Sequence, residues 1–220
     1  MFQGFNQSTI KYYESIKKDN SKTAHRENEM LYIEGVRQPL EDLYFELSHY
    51  FNKLDSNLSG SKRRCISSPY HDARFCGNAP IREYCYVRFK LNREDKKNTL
   101  GFFFDASLDG YKYGINIYNM NAKGMENIRD YILDNRNFAT EVIQKFNMSG
   151  LLEVHGETYQ KPSYPDEKEI LRCWLEHKNL SFLHKETLNP RFFDRKLLEE
   201  IRRSFDSAAD VYFMLKKAIT

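Results

Sequence analysis

The chain has 220 residues, of which 40% are hydrophobic and 30% charged, and its formal net charge is +3. These proportions are typical of a globular protein. No apolar run approaches the roughly 20 residues that a membrane helix needs, and the first residues lack the features of a signal peptide, so we expect a cytoplasmic protein without a membrane segment.

Helical periodicity dominates the N-terminal quarter of the chain. Apolar residues three or four positions apart predict a short helix over 8–19 and a longer helical segment over 23–54. Pro39 interrupts the longer segment, because proline lacks an N–H group and clashes with the preceding turn. We therefore expect two helices there, with Pro39 in the first turn of the second.

The middle of the chain has the pattern of strands, which we predict over 65–68, 83–91, 99–105 and 111–118. In the second of these, Cys85, Val87 and Phe89 alternate with polar residues, and this period of two is typical of a strand with one buried face. Asp109-Gly110 favours a tight reversal between the last two strands. An antiparallel sheet with one solvated face is the natural interpretation.

From Ala122 onward the period returns to helical, with two short helices predicted within 122–146 and one helix each over 167–176 and 194–219. The order helices, strands, helices predicts an α+β fold. In this fold an antiparallel sheet is flanked by N-terminal and C-terminal helices on one face. We expect one domain over residues 1–220, with a helical region 1–55, a sheet region 62–120 and a helical region 122–220.

The polar face of the strand over 83–91 is both cationic and aromatic. Residues 60–100 contain ten Lys or Arg and four Asp or Glu, so positive charge is concentrated where the strands are. Such a concentration attracts and holds anions. The candidate ligand-binding residues on this side are Arg74, Arg82, Tyr84, Tyr86 and Arg88, with Lys90 at the end of the row. A solvated face in which the tyrosines only cover their neighbours, or a face buried under helices, is the structural alternative.

The segment Tyr70-His71-Asp72-Ala73-Arg74-Phe75, followed by Pro80, resembles a motif of the family known as domain of unknown function 2461. Segments 36–40, 111–118 and 175–182 resemble further motifs of this family in the same order. The resemblance therefore covers nearly the whole chain. It implies an α+β fold and brings no established activity or cofactor.

The chain departs from the family pattern at two places. Cys76-Gly77-Asn78 stands where the family has Lys-Asp-Lys, and Ile81-Arg82 where it has Tyr-Lys. Two lysines are lost, whereas one cation is kept at Arg82. If the family motif binds an anion, this chain binds it more weakly or binds another ligand.

Three functional hypotheses remain open. The first is an anion-binding sheet surface for a phosphate, a nucleotide or a carboxylate, with an anionic small molecule or a single-stranded nucleic acid as partner. The second is a small-molecule enzyme in which Asp72 acts as acid or base, while Arg74 and Lys178 neutralise the substrate. The third is a protein-interaction module that uses the aromatic sheet face. A structural ion pair between Asp72 and Arg74 is the simplest alternative at that position.

No recognised chemical motif decides between these hypotheses. The four cysteines have no C-x-x-C spacing and the six histidines are scattered, so we expect no metal site. Phosphate-binding and dinucleotide-binding glycine motifs do not occur either, and we expect no cofactor. Whether the protein is an enzyme stays open.

Overall fold

The computed structural model describes residues 1–58, 60–72, 74, 77–92 and 97–219. Its N-terminal elements are α1 (Gln7–Lys18), α2 (Lys22–Glu27), α3 (Glu29–Tyr32), a π-helical turn (Ile33–Arg37), α4 (Gln38–Leu54), a 3₁₀ turn (Ser56–Leu58) and α5 (Lys62–Cys65). Asn6 begins α1 with a capping box shared with Thr9. Pro39 lies in the first turn of α4, which confirms its predicted place.

The strands are β1 (Tyr84–Lys90), β2 (Thr99–Ser107), β3 (Gly110–Tyr118), β4 (Glu153–His155) and β5 (Ser181–Glu186). They form one antiparallel sheet in the order β1-β2-β3-β5-β4. The remaining elements are α6 (Ala122–Asp134), α7 (Arg136–Ser149), α8 (Glu169–Leu175), a 3₁₀ turn (Pro190–Phe193), α9 (Lys196–Ser207) and α10 (Ala209–Ile219). The fold is α+β, as predicted. No helix in the described part of the chain combines the length and apolar character that spanning a membrane requires.

Three sequence expectations about elements were wrong. Cys65 ends α5 instead of beginning a strand, and within 65–68 the pairing is an isolated bridge from Ile66 to Val87. The sheet extends past the predicted region 62–120, because β4 and β5 join it. The predicted last helix is divided at Ala208 into α9 and α10.

The chain divides into two compact units that alternate along the sequence, and the expected single-domain organisation stays a prediction. Unit 1 comprises Met1–Phe89, Phe103–Tyr113 and Lys185–Arg202, and unit 2 comprises Lys90–Phe102, Gly114–His184 and Arg203–Thr220. Unit 1 has an aromatic core. Phe5 stacks on Phe192, with 4.6 Å between the ring centroids, and on Phe104 at 5.6 Å.

Unit 2 has an aromatic core of its own. Trp174 of α8 and Phe182 of β5 pack with their ring centroids 4.6 Å apart, and Phe146 of α7 meets both rings edge-on. Phe102 of β2 packs on Phe205 and Tyr212, at centroid distances of 4.8 and 5.1 Å. Such rings bury large apolar areas and favour these tilted contacts, so they stabilise the unit.

The two faces of the sheet differ in burial along its strands. In β1 every second residue is buried, and in β3 Tyr111, Tyr113, Ile115 and Ile117 are buried as the alternation predicted. In β2 the whole stretch from Thr99 to Phe104 is buried, so both faces are covered there. The expected solvated face is therefore found along β1 and not along the first half of β2.

Candidate functional site

Arg82, which precedes β1, and three residues of the polar face of β1 form a row that we call the basic aromatic strip: Arg82, Tyr84, Tyr86 and Arg88. Cys85, Val87 and Phe89, which alternate with these residues, are at most 2% exposed and anchor the strand in the core. Because side chains alternate across a strand, this anchoring turns the strip residues to the opposite face. Tyr84 and Tyr86 are half-buried, so they are neither open to solvent nor part of the core.

Rings and guanidinium groups follow one another along the strip. The Arg82 guanidinium lies 5.6 Å from the ring centroid of Tyr84 and 5.9 Å from that of Tyr86. The two tyrosine rings are 6.3 Å apart with 29° between their planes, and the Arg88 guanidinium lies 3.9 Å over Tyr86. The three distances between a guanidinium group and a ring are within the range in which a cation is attracted to an aromatic face. These contacts hold both arginines against the sheet.

The two arginines of the strip have different polar partners. Arg88 forms an ion pair with Asp105 of β2, with 3.2 Å between Nη2 and Oδ2, and Lys112 Nζ lies 3.9 Å from the same carboxylate. Arg82 donates from Nε to the Tyr70 carbonyl at 3.2 Å and from Nη1 to the Tyr84 hydroxyl at 2.8 Å. Within the described residues no carboxylate pairs with Arg82. Of the two strip arginines, Arg82 is therefore the one without a carboxylate ion-pair partner in the described part of the chain.

Arg74 binds the carboxylate of Asp72, two residues earlier in the chain. Its Nε and Nη2 donate to the two carboxylate oxygens of Asp72, at 3.0 and 2.6 Å, and its backbone N–H donates to Asp72 Oδ1 at 3.0 Å. Both side chains are exposed, and the Arg74 side chain lowers the pKa of Asp72. The geometry is that of the structural ion pair considered above. Ala73, Phe75 and Cys76 of the surrounding segment lie outside the described residues.

Lys178 belongs to unit 2, whereas Asp72 and Arg74 belong to unit 1. Its Nζ lies 3.9 Å from the Glu157 carboxylate and 5.9 Å from the centroid of the Tyr159 ring. The side chain is 46% exposed. The hypothesis that Lys178 converges with Asp72 and Arg74 stays a prediction.

A cavity of about 550 Å³ adjoins the strip and shares Tyr84 and Arg88 with it. Its other lining residues come from α1, from Glu83 before β1, from the adjoining ends of β2 and β3 with the turn between them, and from the end of β5. The charged groups are four cations and three carboxylates: Lys17, Arg88, Lys112 and Lys185, and Glu83, Asp105 and Asp109. The lining therefore carries one positive charge in excess. All of these residues belong to unit 1.

Lys17, Lys112 and Lys185 were not predicted as site residues. Lys17 lies in the last turn of α1, where a cation favours the helix C-terminus, so nothing in its sequence context pointed to a ligand. Gly110, with φ +141°, lets β3 approach the Glu186 carbonyl so closely that a Cβ would collide with it. This close approach brings Lys185 beside the turn. The Asp109-Gly110 signal located the turn, but not the residue that packs on it.

No group of three or more His, Cys, Asp or Glu side chains within the described ranges is placed to hold a metal ion. Cys65 and Cys85 are buried and Cys173 is exposed.

The segment of the resembling motif is joined to the strip by backbone hydrogen bonds. His71 N donates to the Pro80 carbonyl at 2.9 Å, and Arg82 N donates to the Pro69 carbonyl at 2.8 Å.

Comparison with protein families gives a match over residues 8–213, to the family described as conserved hypothetical protein (DUF2461). The chain belongs to the DUF2461 family. No curated protein matches its sequence. The family resemblance inferred from the short motifs is therefore confirmed over almost the whole length.

In this DUF2461 member the two residues that depart from the family pattern before β1 have distinct roles. Ile81 is fully buried and bridges Tyr70, and its backbone N–H and carbonyl both bond the Asn20 side chain, at 2.8 and 2.9 Å. Arg82 follows at once and begins the strip. Ile81 is thus an apolar anchor directly before the cation Arg82.

Proposed function

We propose that this protein binds a small organic anion with a planar group, such as a nucleoside monophosphate, along the basic aromatic strip and in the adjoining cavity. The main observation behind the proposal is that the strip and the cavity are continuous, because Tyr84 and Arg88 belong to both. The planar group would stack beside the tyrosines. The anionic group would lie among the cations.

Charge supports this assignment. Arg82 has no carboxylate partner in the described part of the chain, and its guanidinium offers a planar fork that suits phosphate and carboxylate oxygens. Lys17 and Lys185 are exposed at the cavity, where they can reach a ligand without first leaving a buried position. Asp105 limits the strength of the site, because it already binds Arg88 and lies near Lys112.

A small molecule has more support than a single-stranded nucleic acid. A nucleic acid needs a row of cations that follows its backbone. Here Arg74 and Arg88 each bind a carboxylate of the protein, at Asp72 and Asp105. The cavity volume, in contrast, lies within the range of about 300–1,000 Å³ that is usual for small-molecule sites. The two remaining hypotheses have less support.

An enzyme that uses Asp72 as acid or base would need that carboxyl to change protonation near neutral pH. Its pKa is lowered by the Arg74 side chain, and its oxygens are occupied by Arg74 donors. A protein-interaction face would need an open apolar surface. The strip instead has half-buried rings with guanidinium groups lying over them.

Isothermal titration calorimetry of the purified chain at low salt, with AMP, adenosine and inorganic phosphate, tests the proposal. AMP should bind more tightly than either part alone, because only AMP uses both the rings and the cations. Arg82→Gln and Tyr84→Leu should each weaken AMP binding by about tenfold, since stacking and a charge-assisted hydrogen bond each contribute roughly 1–3 kcal/mol. Arg26→Gln, at an exposed arginine of α2, is the matched control and should leave binding unchanged.

Three results would contradict the proposal: no heat with any of the three compounds, equal AMP binding by the wild type and Arg82→Gln, or adenosine binding as tightly as AMP. The salt dependence of binding distinguishes a nucleic-acid ligand from a small molecule. Binding of an oligonucleotide with a log–log salt slope well beyond the roughly −0.7 expected for one phosphate would favour that alternative over a small molecule.

A further inference from the structure

A second cavity in unit 1, of about 330 Å³, shares no lining residue with the first. Its walls come from α2, α3, the π-helical turn and the segment before β1. The residues that matter here are His25, Glu29, Tyr32, Arg37 and Tyr70. The volume is at the lower end of the usual range for a small-molecule site, and aromatic walls with few polar groups are typical of such sites.

The π-helical turn Ile33–Arg37 fixes one wall of this cavity. Its Gly35 packs so closely on α1 that a Cβ would collide with the backbone of Ser8 and Thr9. The Thr9 hydroxyl donates to the Gly35 carbonyl at 2.6 Å. Isolated π turns are uncommon and occur frequently at functional sites. Here the turn holds Arg37 at the cavity by contacts with α1 that do not involve the cavity itself.

His25 supplies a polar group to the cavity wall. The side chain is 6% exposed, Nδ1 bonds the Tyr12 hydroxyl at 2.8 Å, and the rings of Tyr32 and Tyr70 meet the imidazole edge-on with centroids 5.2 Å away. Nε2 has no hydrogen-bond partner among the described residues. Burial lowers the pKa of His25 and therefore favours the neutral imidazole. A ligand hydroxyl can satisfy Nε2 in either tautomer, because a hydroxyl both donates and accepts.

Two opposite charges line the same cavity without pairing with each other. Arg37 Nε donates to Glu41 at 3.1 Å, and Glu41 also binds Lys62 Nζ at 3.0 Å. Two cations thus share one carboxylate, which leaves one positive charge in excess beside the cavity. Glu29 is exposed and forms no ion pair within the described ranges. The cavity therefore offers a cation and an anion that a ligand can bridge.

The sign of these charges decides between ligand classes. A ligand with only a carboxylate would be attracted by Arg37 and repelled by Glu29. A ligand with only an amine would be attracted by Glu29 and repelled by Arg37. A zwitterion satisfies both groups. We propose that this cavity binds a free α-amino acid with a hydroxylated aromatic side chain, with its carboxylate at Arg37, its ammonium at Glu29 and its hydroxyl at His25 Nε2. The aromatic ring of the ligand lies against Tyr32 and Tyr70.

Ligand-observed NMR titration of the full chain tests this proposal with L-tyrosine and three analogues that each lack one group. Tyramine lacks the carboxylate, 3-(4-hydroxyphenyl)propionate lacks the ammonium, and L-phenylalanine lacks the hydroxyl. L-tyrosine should bind about tenfold more tightly than either single-charge analogue, because a hydrogen bond to a charged group contributes about that factor. L-phenylalanine should bind more weakly by a smaller factor, since its missing hydroxyl made a neutral hydrogen bond.

Variants assign each charge to its residue. Arg37→Gln should abolish the advantage of L-tyrosine over tyramine, and Glu29→Gln its advantage over the propionate. Arg26→Gln and Glu27→Gln, at exposed neighbours outside the cavity lining, are matched controls and should change neither ratio. The proposal is overturned if L-tyrosine does not bind, if tyramine or the propionate binds equally well, or if the controls change the ratios as much as the cavity variants.

Discussion

Arg88 and Asp105 form an ion pair between the neighbouring strands β1 and β2, with 3.2 Å between Nη2 and Oδ2. Their side chains are only 24% and 15% exposed. The same guanidinium lies over the Tyr86 ring. The Asp105 carboxylate therefore occupies one of the directions from which a ligand anion would approach Arg88.

This relationship predicts that Asp105→Asn strengthens anion binding. The amide leaves Arg88 and Lys112 in place but removes the negative charge that competes with the ligand. We expect AMP affinity at low salt to rise about three- to tenfold, which corresponds to about 1 kcal/mol. Calorimetric titration measures the change, and Asp130→Asn, at an exposed position of α6, is the control. Weaker AMP binding by Asp105→Asn would show that Asp105 supports the site.

The strip could be predicted from sequence because burial of one strand face imposes a period of two. Cys85, Val87 and Phe89 revealed which side is buried, and the cations and rings followed on the other side. The partner of Arg88 could not be predicted in the same way. Asp105 lies on another strand, and the register that places it opposite Arg88 depends on packing, which a single-strand pattern does not contain. Lys185 comes from still further along the chain.

The missed strands have a comparable physical explanation. β5 has only Phe182 buried along its six residues, so the alternation on which the prediction depends is absent. β4 has three residues, of which none is buried. The strand predicted at 65–68 is absent, because α5 ends at Cys65 and Ile66 forms only an isolated bridge. The π-helical turn at Ile33–Arg37 has no signal in helical periodicity, because it differs from an α-helix only in hydrogen bonds that span five residues instead of four.

The buried imidazole of His25 predicts a specific dependence of stability on pH. Burial lowers its pKa below the ordinary value of 6.5, although the nearby Glu29 raises it in part. The unfolded chain therefore binds a proton at His25 at higher pH than the folded chain does. The contribution of neutral His25 to stability is fully present above about pH 6.5 and is lost as the pH falls toward the folded pKa.

Replacing this residue should consequently cost less at low pH. We expect the loss in free energy of unfolding caused by His25→Gln to be larger at pH 7.5 than at pH 5.5, with a slope of at most about 1.4 kcal/mol per pH unit for one proton. Urea unfolding at several pH values measures it. Ile16→Val, a fully buried substitution on α1 that adds no titrating group, should cost the same at both pH values. A penalty that grows toward acid would contradict the assignment.

Replacement of Arg129 of α6 should have a large effect on stability, although this residue belongs to neither proposed site. It is 8% exposed and donates to the Leu175 carbonyl at 3.0 Å, to the His177 carbonyl at 2.6 Å and to the Tyr159 hydroxyl at 3.1 Å. Arg129→Met keeps much of the apolar stem but leaves these acceptors without a donor. We expect a loss of about 3 kcal/mol in the free energy of unfolding.

Lys123→Met is the matched control for Arg129→Met, since it removes a positive charge from an exposed side chain on the same helix. It should change the free energy of unfolding by less than about 0.5 kcal/mol. Chemical denaturation monitored by circular dichroism compares the two variants. Equal effects would mean that the carbonyl contacts of Arg129 contribute nothing beyond its charge.

At Gly114 of β3 we expect that even one additional methyl group is not tolerated. A Cβ there would collide with the Phe182 carbonyl oxygen and lie 2.7 Å from Leu183 Cα, and both obstacles are backbone atoms of the adjacent β5. Gly150, at the end of α7, has φ +60° and no atom within 4 Å of its Cβ position. Alanine at Gly150 therefore meets only the conformational penalty of the left-handed region, about 1 kcal/mol.

The comparison of Gly114→Ala with Gly150→Ala separates strand packing from backbone conformation. Alanine at Gly114 must push β3 and β5 apart, and we expect a loss of more than about 2 kcal/mol, because backbone atoms cannot move aside as a flexible side chain does. Urea midpoints of the two variants give the difference. A Gly114→Ala chain that fails to fold while Gly150→Ala folds is the same result in stronger form. Equal stability of the two variants would mean that β3 and β5 are not held at the close spacing that Gly114 permits.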